Sequence, residues 1–372
     1  MQILQLSTAL PKDRYSTEEL MKAFPCKLPE GVKQNVLNLG VSKRHLIKQA
    51  VSPKASENLM SEDELVDLCA EACEKALKEA CLSIKDIAYL VAAYDVNPFL
   101  SPGLSQLLVP KLGCDPYVRH MNAQGIASTA FPKALDLAQD YLSSHLADKV
   151  LICVSGVSSY WFQNQVHGLD NVMEMSQISQ IKDEAKRQSE LRKWIATMQF
   201  FLFGDGAAAA VVTSKKGGLA VKKTVEVTNV GKKDYLAGCS RLAVLDKPFH
   251  FGFYSYLDKE IPRLGTEYTR LALNRLLGKD TDRIIKDARK WVIHTGSEKI
   301  LNSLAEHHGI EHEKLEESRH VLREYGNLAG ASLPFILNEI LKGNTLSKGD
   351  AVLMVGYGWG FSAAASLLEY VG

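Results

Sequence analysis

Trp291-Val292-Ile293-His294-Thr295-Gly296 is an apolar run that stops on a histidine, and the chain holds a counterpart to it. Tyr89-Leu90-Val91-Ala92 stands 202 residues earlier, counted from Tyr89 to Trp291. An amphipathic helix pattern precedes each run, Glu64 to Cys81 in the first case and Tyr268 to Leu277 in the second. Further on, a helix pattern from Phe131 to His145 leads into Val150-Leu151-Ile152-Cys153-Val154. Its partner, Leu333 to Lys342, leads into Ala351-Val352-Leu353-Met354-Val355, 201 residues on from Val150 to Ala351. Two matches at nearly one offset predict an internal duplication. Strands become continuous apolar runs when helices cover both faces of a sheet. The expected fold is therefore α/β with two pseudo-equivalent halves, residues 1–215 and 216–372, and an inserted segment at about 160–199.

The whole-chain properties narrow the function. A length of 372 residues suits two fused α/β halves. Lys plus Arg number 44 against 43 Asp plus Glu, so no global field favours nucleic acid. The start, Met-Gln-Ile-Leu-Gln-Leu, has no basic region and no small-residue cleavage site, which argues against a secretory signal. The uncharged stretch Ala351 to Leu368 is interrupted by Gly356, Gly358 and Gly360 and reads as strand–turn–strand rather than a membrane span. Seven cysteines without CxxC spacing point to a reducing cytoplasm, with Cys69 and Cys73 facing the core. His307, His308 and His312 lack acidic or cysteine partners in the pattern, so a solvated helix end is expected there and no metal site.

The segment Tyr160 to Gln199 mixes Ile178, Ile181, Leu191, Trp194, Ile195 and Met198 with Lys182, Lys186, Arg187, Arg192 and Lys193. This predicts one or two basic amphipathic helices. They could be a plain cover over the core, or a cap whose positive face meets an anionic carrier.

Three segments fall at corresponding ends of the repeat. Asn122-Ala123-Gln124-Gly125-Ile126-Ala127-Ser128-Thr129-Ala130 is a small-residue turn opening a helix. His294 ends a buried strand, and Tyr325-Gly326-Asn327-Leu328-Ala329-Gly330-Ala331-Ser332 is a second small-residue turn before a helix. Two helix N-termini and one strand tip can then converge where the halves meet. Helix N-termini supply backbone N–H groups and a positive field, which suits a nucleophile and a developing oxyanion.

These segments resemble the decarboxylating branch of the thiolase superfamily: chalcone-synthase-like type III polyketide synthases, ketoacyl-ACP synthase III and plant very-long-chain ketoacyl synthases. Leu202-Phe203-Gly204-Asp205-Gly206-Ala207-Ala208-Ala209 is similar to the family's FGDGAAA turn. Tyr325-Gly326-Asn327 resembles its YGN motif, and Ile293-His294-Thr295-Gly296 the segment carrying its histidine. Gly356-Tyr357-Gly358-Trp359-Gly360 resembles its glycine-rich loop, and Val41-Ser42-Lys43-Arg44-His45 a basic segment near the CoA entrance. Five motifs in the right order cover nearly the whole chain outside the inserted segment.

The resemblance implies the thiolase fold, a five-layer αβαβα homodimer with a Cys–His–Asn site. The strand beside the nucleophile helix would pair across the two-fold axis, and the apolar segment Pro98 to Leu108 would complete the neighbour's cavity. His294 and Asn327 match the family site, and Ser128 takes the cysteine's place. An alternative register puts Ile126 there, which cannot carry an acyl group. Phe203 would be an aromatic gate or a core aromatic, and Gly356, Gly358 and Gly360 would shape the substrate cavity. Phe251, Phe253, Tyr254 and Tyr256 would line it, and Lys43 and Arg44 would stand at the CoA or carrier entrance.

The implied chemistry is decarboxylative Claisen condensation of an acyl-CoA or acyl-carrier starter with a malonyl thioester. CoA or phosphopantetheine thioesters are the substrates, and no further cofactor or metal is expected. Head-to-head members of the superfamily use a glutamate; here the loop Asn97 to Gly103 holds no acid, although Asp95 lies just upstream. A serine is a poorer nucleophile than a thiolate at such a position. It could be an introduced replacement, a natural slow nucleophile, or the mark of a silent partner subunit. An acyltransferase acting on an alcohol or amine without condensation is the other functional class.

Overall fold

The computed structural model describes residues 1–47, 62–97, 99, 101–146, 148–215, 217–244 and 251–372. Nine strands of the described residues form the central β-structure: β1 (Gln2–Ala9), β2 (Tyr89–Tyr94), β3 (Arg119–Gln124), β4 (Lys149–Ser155), β5 (Ala207–Thr213), β6 (Leu219–Thr228), β7 (Lys290–Ile293), β8 (Ala351–Gly358) and β9 (Ser362–Tyr370). Their order is β7-β8-β9-β6-β1-β5-β4-β2-β3. β1 and β6 meet at only two residue pairs, Gln2 with Ala220 and Ile3 with Leu219. That short seam divides the sheet into two halves of one design. In the first, β2 and β4 are parallel and β4, β5 and β1 follow antiparallel. In the second, β7 and β8 are parallel and β8, β9 and β6 follow antiparallel.

Alternation along each strand sorts side chains between layers. Val91, Ala93, Ile152 and Val154 share one buried cluster with Val292, Val352 and Met354 from the other half. The helices α2 (Ala130–Ser144) and α6 (Ser332–Lys342) fill this middle layer, presenting Phe131, Ala134, Leu135, Ala138, Leu333, Ile336 and Ile340. The opposite faces of β2 and β4, with Leu90, Ala92, Leu151 and Cys153, pack on α1 (Glu62–Glu79). Those of β7 and β8, with Trp291, Ile293, Leu353 and Val355, pack with residues of α4 (Ile261–Leu277) and α5 (Glu298–His308). The result is helix, sheet, helix, sheet, helix: the five expected layers. Each fully buried aliphatic side chain contributes about 1.5–3 kcal/mol, so the shared middle layer, rather than the short β1–β6 seam, binds the halves.

Several sequence expectations change. The segment at 160–199 is joined to the core through its end, where helix α3 (Glu184–Leu202) buries Ile195 to Phe201, while Lys182, Lys186 and Arg192 stay exposed. Asp183 caps it by accepting from the Lys186 N–H at 2.7 Å. His308 is not solvated. It shares the inward stripe of Leu301, Leu304 and Ala305, and its Nε2 lies 2.8 Å from Thr269 Oγ1. Cys69 and Cys73 are buried, as expected. The uncharged C-terminal stretch forms the antiparallel pair β8–β9. Among the described residues no helix is long and apolar enough to cross a membrane, and no His, Cys, Asp and Glu side chains group as metal ligands.

Candidate active site

Three chain segments bring the predicted residues together. Ser128 lies in a single helical turn, Ala127–Thr129, immediately before α2. His294 is the first residue past β7, and Asn327 precedes the matching turn Ala329–Ala331 before α6. Ser128 Oγ is 2.8 Å from His294 Nε2, and Asn327 Nδ2 is 3.4 Å from the same nitrogen. All three residues are buried. Ile126 does not enter this group. It packs against the middle-layer core, and its carbonyl accepts from Thr129.

Burial lowers the His294 pKa from 6.5 to about 3, so the imidazole is neutral near pH 7. A neutral ring can accept the Ser128 proton at Nε2 or, in its other tautomer, donate from Nε2. The Asn327 amide is oriented by its own turn: Oδ1 accepts the Ala329 N–H at 2.8 Å, which leaves Nδ2 facing His294. Both donors can therefore serve one oxygen.

Neighbouring turns hold these groups in place. The Asn327 N–H donates to Leu202 O at 2.9 Å and the Gly204 N–H to Asn327 O at 3.2 Å, so the end of α3 clamps the asparagine. Asp205 anchors that clamp, accepting from the N–H groups of Ile47, Ser158 and Ser159 and from the Ser159 hydroxyl. Burial raises its pKa, and these hydrogen bonds oppose the rise. On the other side, Thr295 Oγ1 donates to Ser332 Oγ at 2.9 Å, and Ser332 Oγ accepts the Leu328 N–H at 3.0 Å. The histidine strand is thus tied to the asparagine turn. Thr295 and Ser332 were visible in the sequence but carried no motif that singled them out.

Gly356 is required by close approach. A Cβ there would lie 2.1 Å from the Ser128 carbonyl oxygen. Gly358 borders the serine more loosely, with a Cβ position 3.6 Å from Ser128 Oγ. Gly360 instead turns the chain between β8 and β9 at φ +117°, where a Cβ would meet only Ser362 Oγ at 4.0 Å, so its place is in the turn. The Phe203 backbone bridges to Asn327, and its ring lies 4.4 Å from that of Phe162, centroid to centroid.

Arg44 corrects an expectation. It does not stand at an open entrance: its side chain is fully buried and donates to Thr17 Oγ1 at 2.6 Å, and burial lowers its pKa to about 9. A lone arginine reads as a surface residue until the fold closes over it. Lys43 remains exposed beside Glu324. Of the aromatic run, the side chains of Phe251, Phe253 and Tyr254 lie outside the described residues. Tyr256 and Ser255 line a cavity of about 280 Å³ against Leu191, Arg192 and Ile195 of α3. Pro98 and Leu100 of the expected partner loop also lie outside the described residues, and Leu104–Lys111 of that segment is helical.

The layered fold brings a serine, a histidine and an asparagine together at one buried point. Residues 281–370 match the family of 3-oxoacyl-[acyl-carrier-protein] synthase III C-terminal domains. The chain is 23% identical over 374 residues to a 3,5-dihydroxyphenylacetyl-CoA synthase of Amycolatopsis orientalis, covering 98% of this chain and 92% of that one. It is 28% identical over 310 residues to a β-ketoacyl-[acyl-carrier-protein] synthase III of Clostridium perfringens, covering 82% and 84%. Its fold matches that of 1,3,6,8-tetrahydroxynaphthalene synthase, a type III polyketide synthase from Streptomyces coelicolor A3(2), with a TM-score of 0.80 at 21% identity over 100% of both chains. Over most of its length the chain is similar to condensing enzymes of the type III polyketide synthase and ketoacyl synthase III kind.

Proposed function

We propose that this enzyme carries an acyl group on Ser128 and condenses it with a malonyl thioester as CO₂ is lost. The observation that carries the reading is the 2.8 Å approach of Ser128 Oγ to His294 Nε2, with Asn327 Nδ2 beside the same nitrogen. Ser128 Oγ attacks the carbonyl carbon of an acyl-CoA or acyl-carrier thioester. Its proton passes to His294 Nε2 and then to the departing sulfur, leaving a seryl ester and a free thiol. A malonyl thioester follows, and with His294 now in its Nε2–H tautomer the thioester carbonyl oxygen accepts from Asn327 Nδ2–H and His294 Nε2–H. The bond to the carboxylate breaks, its electron pair forms the enolate, and the enolate carbon attacks the seryl ester. Ser128 Oγ departs and is reprotonated through His294, the one proton that the condensation consumes coming from solvent, and the product is a β-ketoacyl thioester two carbons longer.

Two relatives support thioester substrates, since CoA and an acyl carrier protein appear in their names. With His294 and Asn327 both in place, an active enzyme is favoured over a silent partner subunit. The reading needs no cofactor beyond the thioesters and places the enzyme in the cytoplasm as a homodimer. In that dimer β3, the end strand of the sheet with Met121 exposed, pairs with its copy. The residue division at 215/216 falls between β5 and β6, and we assign one half of the duplication to each side.

The serine–histidine pair also favours a second reading, acyl transfer to an alcohol or amine, because an oxygen ester suits a carrier that waits for an acceptor. Incubation with acyl-CoA and carboxyl-labelled malonyl-CoA separates the two. Labelled CO₂ with a β-keto product is expected; acyl transfer to an added amine without CO₂ release would favour the second reading.

A further inference from the structure

We propose that Asp95 is the positioning residue of the nucleophile turn, holding Ala127 in a left-handed backbone conformation and so aiming the Ser128 hydroxyl at His294. The inference rests on the reading of Ser128 as the acyl carrier. Ala127 has φ +45°, a conformation that residues with a Cβ rarely adopt. Its N–H donates to Asp95 Oδ1 at 3.0 Å, across 32 residues of sequence. The contact fixes the Ile126–Ala127 peptide plane, and the left-handed turn at Ala127 then leads the chain into Ser128, whose hydroxyl lies 2.8 Å from His294 Nε2.

The duplication repeats the device. Ala329, 202 residues beyond Ala127, has φ +46°, and its N–H donates to Asn327 Oδ1 at 2.8 Å. Each half thus holds one left-handed alanine at the same place before its middle-layer helix, and each alanine N–H is taken by a side-chain oxygen. In the second half the acceptor is the site asparagine. In the first it comes from the strand tip. Asp95 is the residue immediately after β2, as His294 is the residue immediately after β7. The two equivalent strands therefore converge on one turn, with His294 at the Ser128 hydroxyl and Asp95 at the preceding N–H. The Asp95 contact also has electrostatic weight: burial raises the carboxyl pKa, and the Ala127 N–H works against that rise.

A positioning role needs an oxygen acceptor at residue 95, whereas acid–base chemistry needs the carboxyl itself. Single-turnover acylation of Ser128 is followed by intact mass with acetyl-CoA and octanoyl-CoA as donors. Asp95→Asn keeps an amide oxygen and should acylate within roughly fivefold of wild type, with a parallel pH profile. Asp95→Ala should slow acylation roughly 10²-fold, the scale of a 1 Å misplacement, while donor affinity stays unchanged. If Asp95→Asn is as slow as Asp95→Ala, or Asp95→Ala matches wild type, the proposal is overturned. Should Asp95→Ala fail to fold, Asp95→Leu, which fills the same space without offering an acceptor, takes its place with the same expected loss. Wild-type protein that accepts no acyl group on Ser128 overturns the nucleophile reading first, and a fast wild type with an equally fast Asp95→Ala overturns only the role of Asp95.

Discussion

Gly356→Ala is a small change with a large expected effect on a residue 228 positions away in sequence, Ser128. The added Cβ would sit 2.1 Å from the Ser128 carbonyl oxygen and 3.0 Å from its carbonyl carbon, whereas real Cβ contacts do not fall below 3.0 Å. About 1 Å of displacement is therefore needed, and both sides of the contact are backbone. β8 is hydrogen-bonded to both β7 and β9, so the serine turn is the side that yields. Overpacking of this kind costs about 1–3 kcal/mol. A 1 Å displacement of a reacting group slows the reaction by roughly 10²-fold. The assay pairs the thermal midpoint with the single-turnover rate of Ser128 acylation. Gly343→Ala is the control, since its Cβ would make only ordinary contacts of 3.4–3.6 Å. A Gly356→Ala protein that melts and acylates like wild type would refute the close approach on which this reasoning depends.

Three further outcomes follow from the same geometry. His294→Ala should fold and should lose roughly 10²–10³-fold in malonyl decarboxylation, and an unchanged rate would remove His294 from the mechanism. Burial holds His294 at about 3 and His308 at about 4, against 6.5 when unfolded, so the unfolded chain binds more protons in acid. Stability from these groups is complete above about pH 6.5 and falls as pH drops towards those values, by about 1.4 kcal/mol per unit per histidine. His308→Gln should remove one such share from the slope of urea stability between about pH 5 and 7; an unaltered slope contradicts the burial argument. Sedimentation at micromolar concentration should show a dimer, with Met121→Asp on the outer strand shifting it towards monomer, and a monomeric wild type would exclude pairing through β3.

The legible part of the fold was the part written in short-range pattern. Val91 and Val292 lie in apolar runs that can only be strands covered on both sides, and the common offset reveals that the two runs are equivalent. His294 and Asn327 stand in motifs, and the Ser128 turn shows as a run of small residues opening a helix, with Ser128 preferred to Ile126 because an isoleucine cannot carry an acyl group. His308 was legible in principle, since it continues the three- and four-residue spacing of Leu301, Leu304 and Ala305, although it stands next to His307 at the end of the helix. Asp95 and Arg44 were not legible in the same way. The contact of Asp95 with Ala127 and the enclosure of Arg44 against Thr17 arise from tertiary packing, and nothing in the flanking residues encodes them. The left-handed alanines were also hidden, because alanine does not advertise positive φ as glycine does.

The proposed chemistry stands on Ser128 carrying the acyl group. Its most direct measurement is peptide-level mass spectrometry of the protein quenched after incubation with acetyl-CoA and octanoyl-CoA, with Ser128→Ala alongside. An acyl ester is expected on the peptide containing Ser128, absent from Ser128→Ala and discharged when malonyl-CoA is added. An acyl group that stays on the Ser128→Ala protein, or wild type that turns over malonyl-CoA with Ser128 never modified, would contradict it.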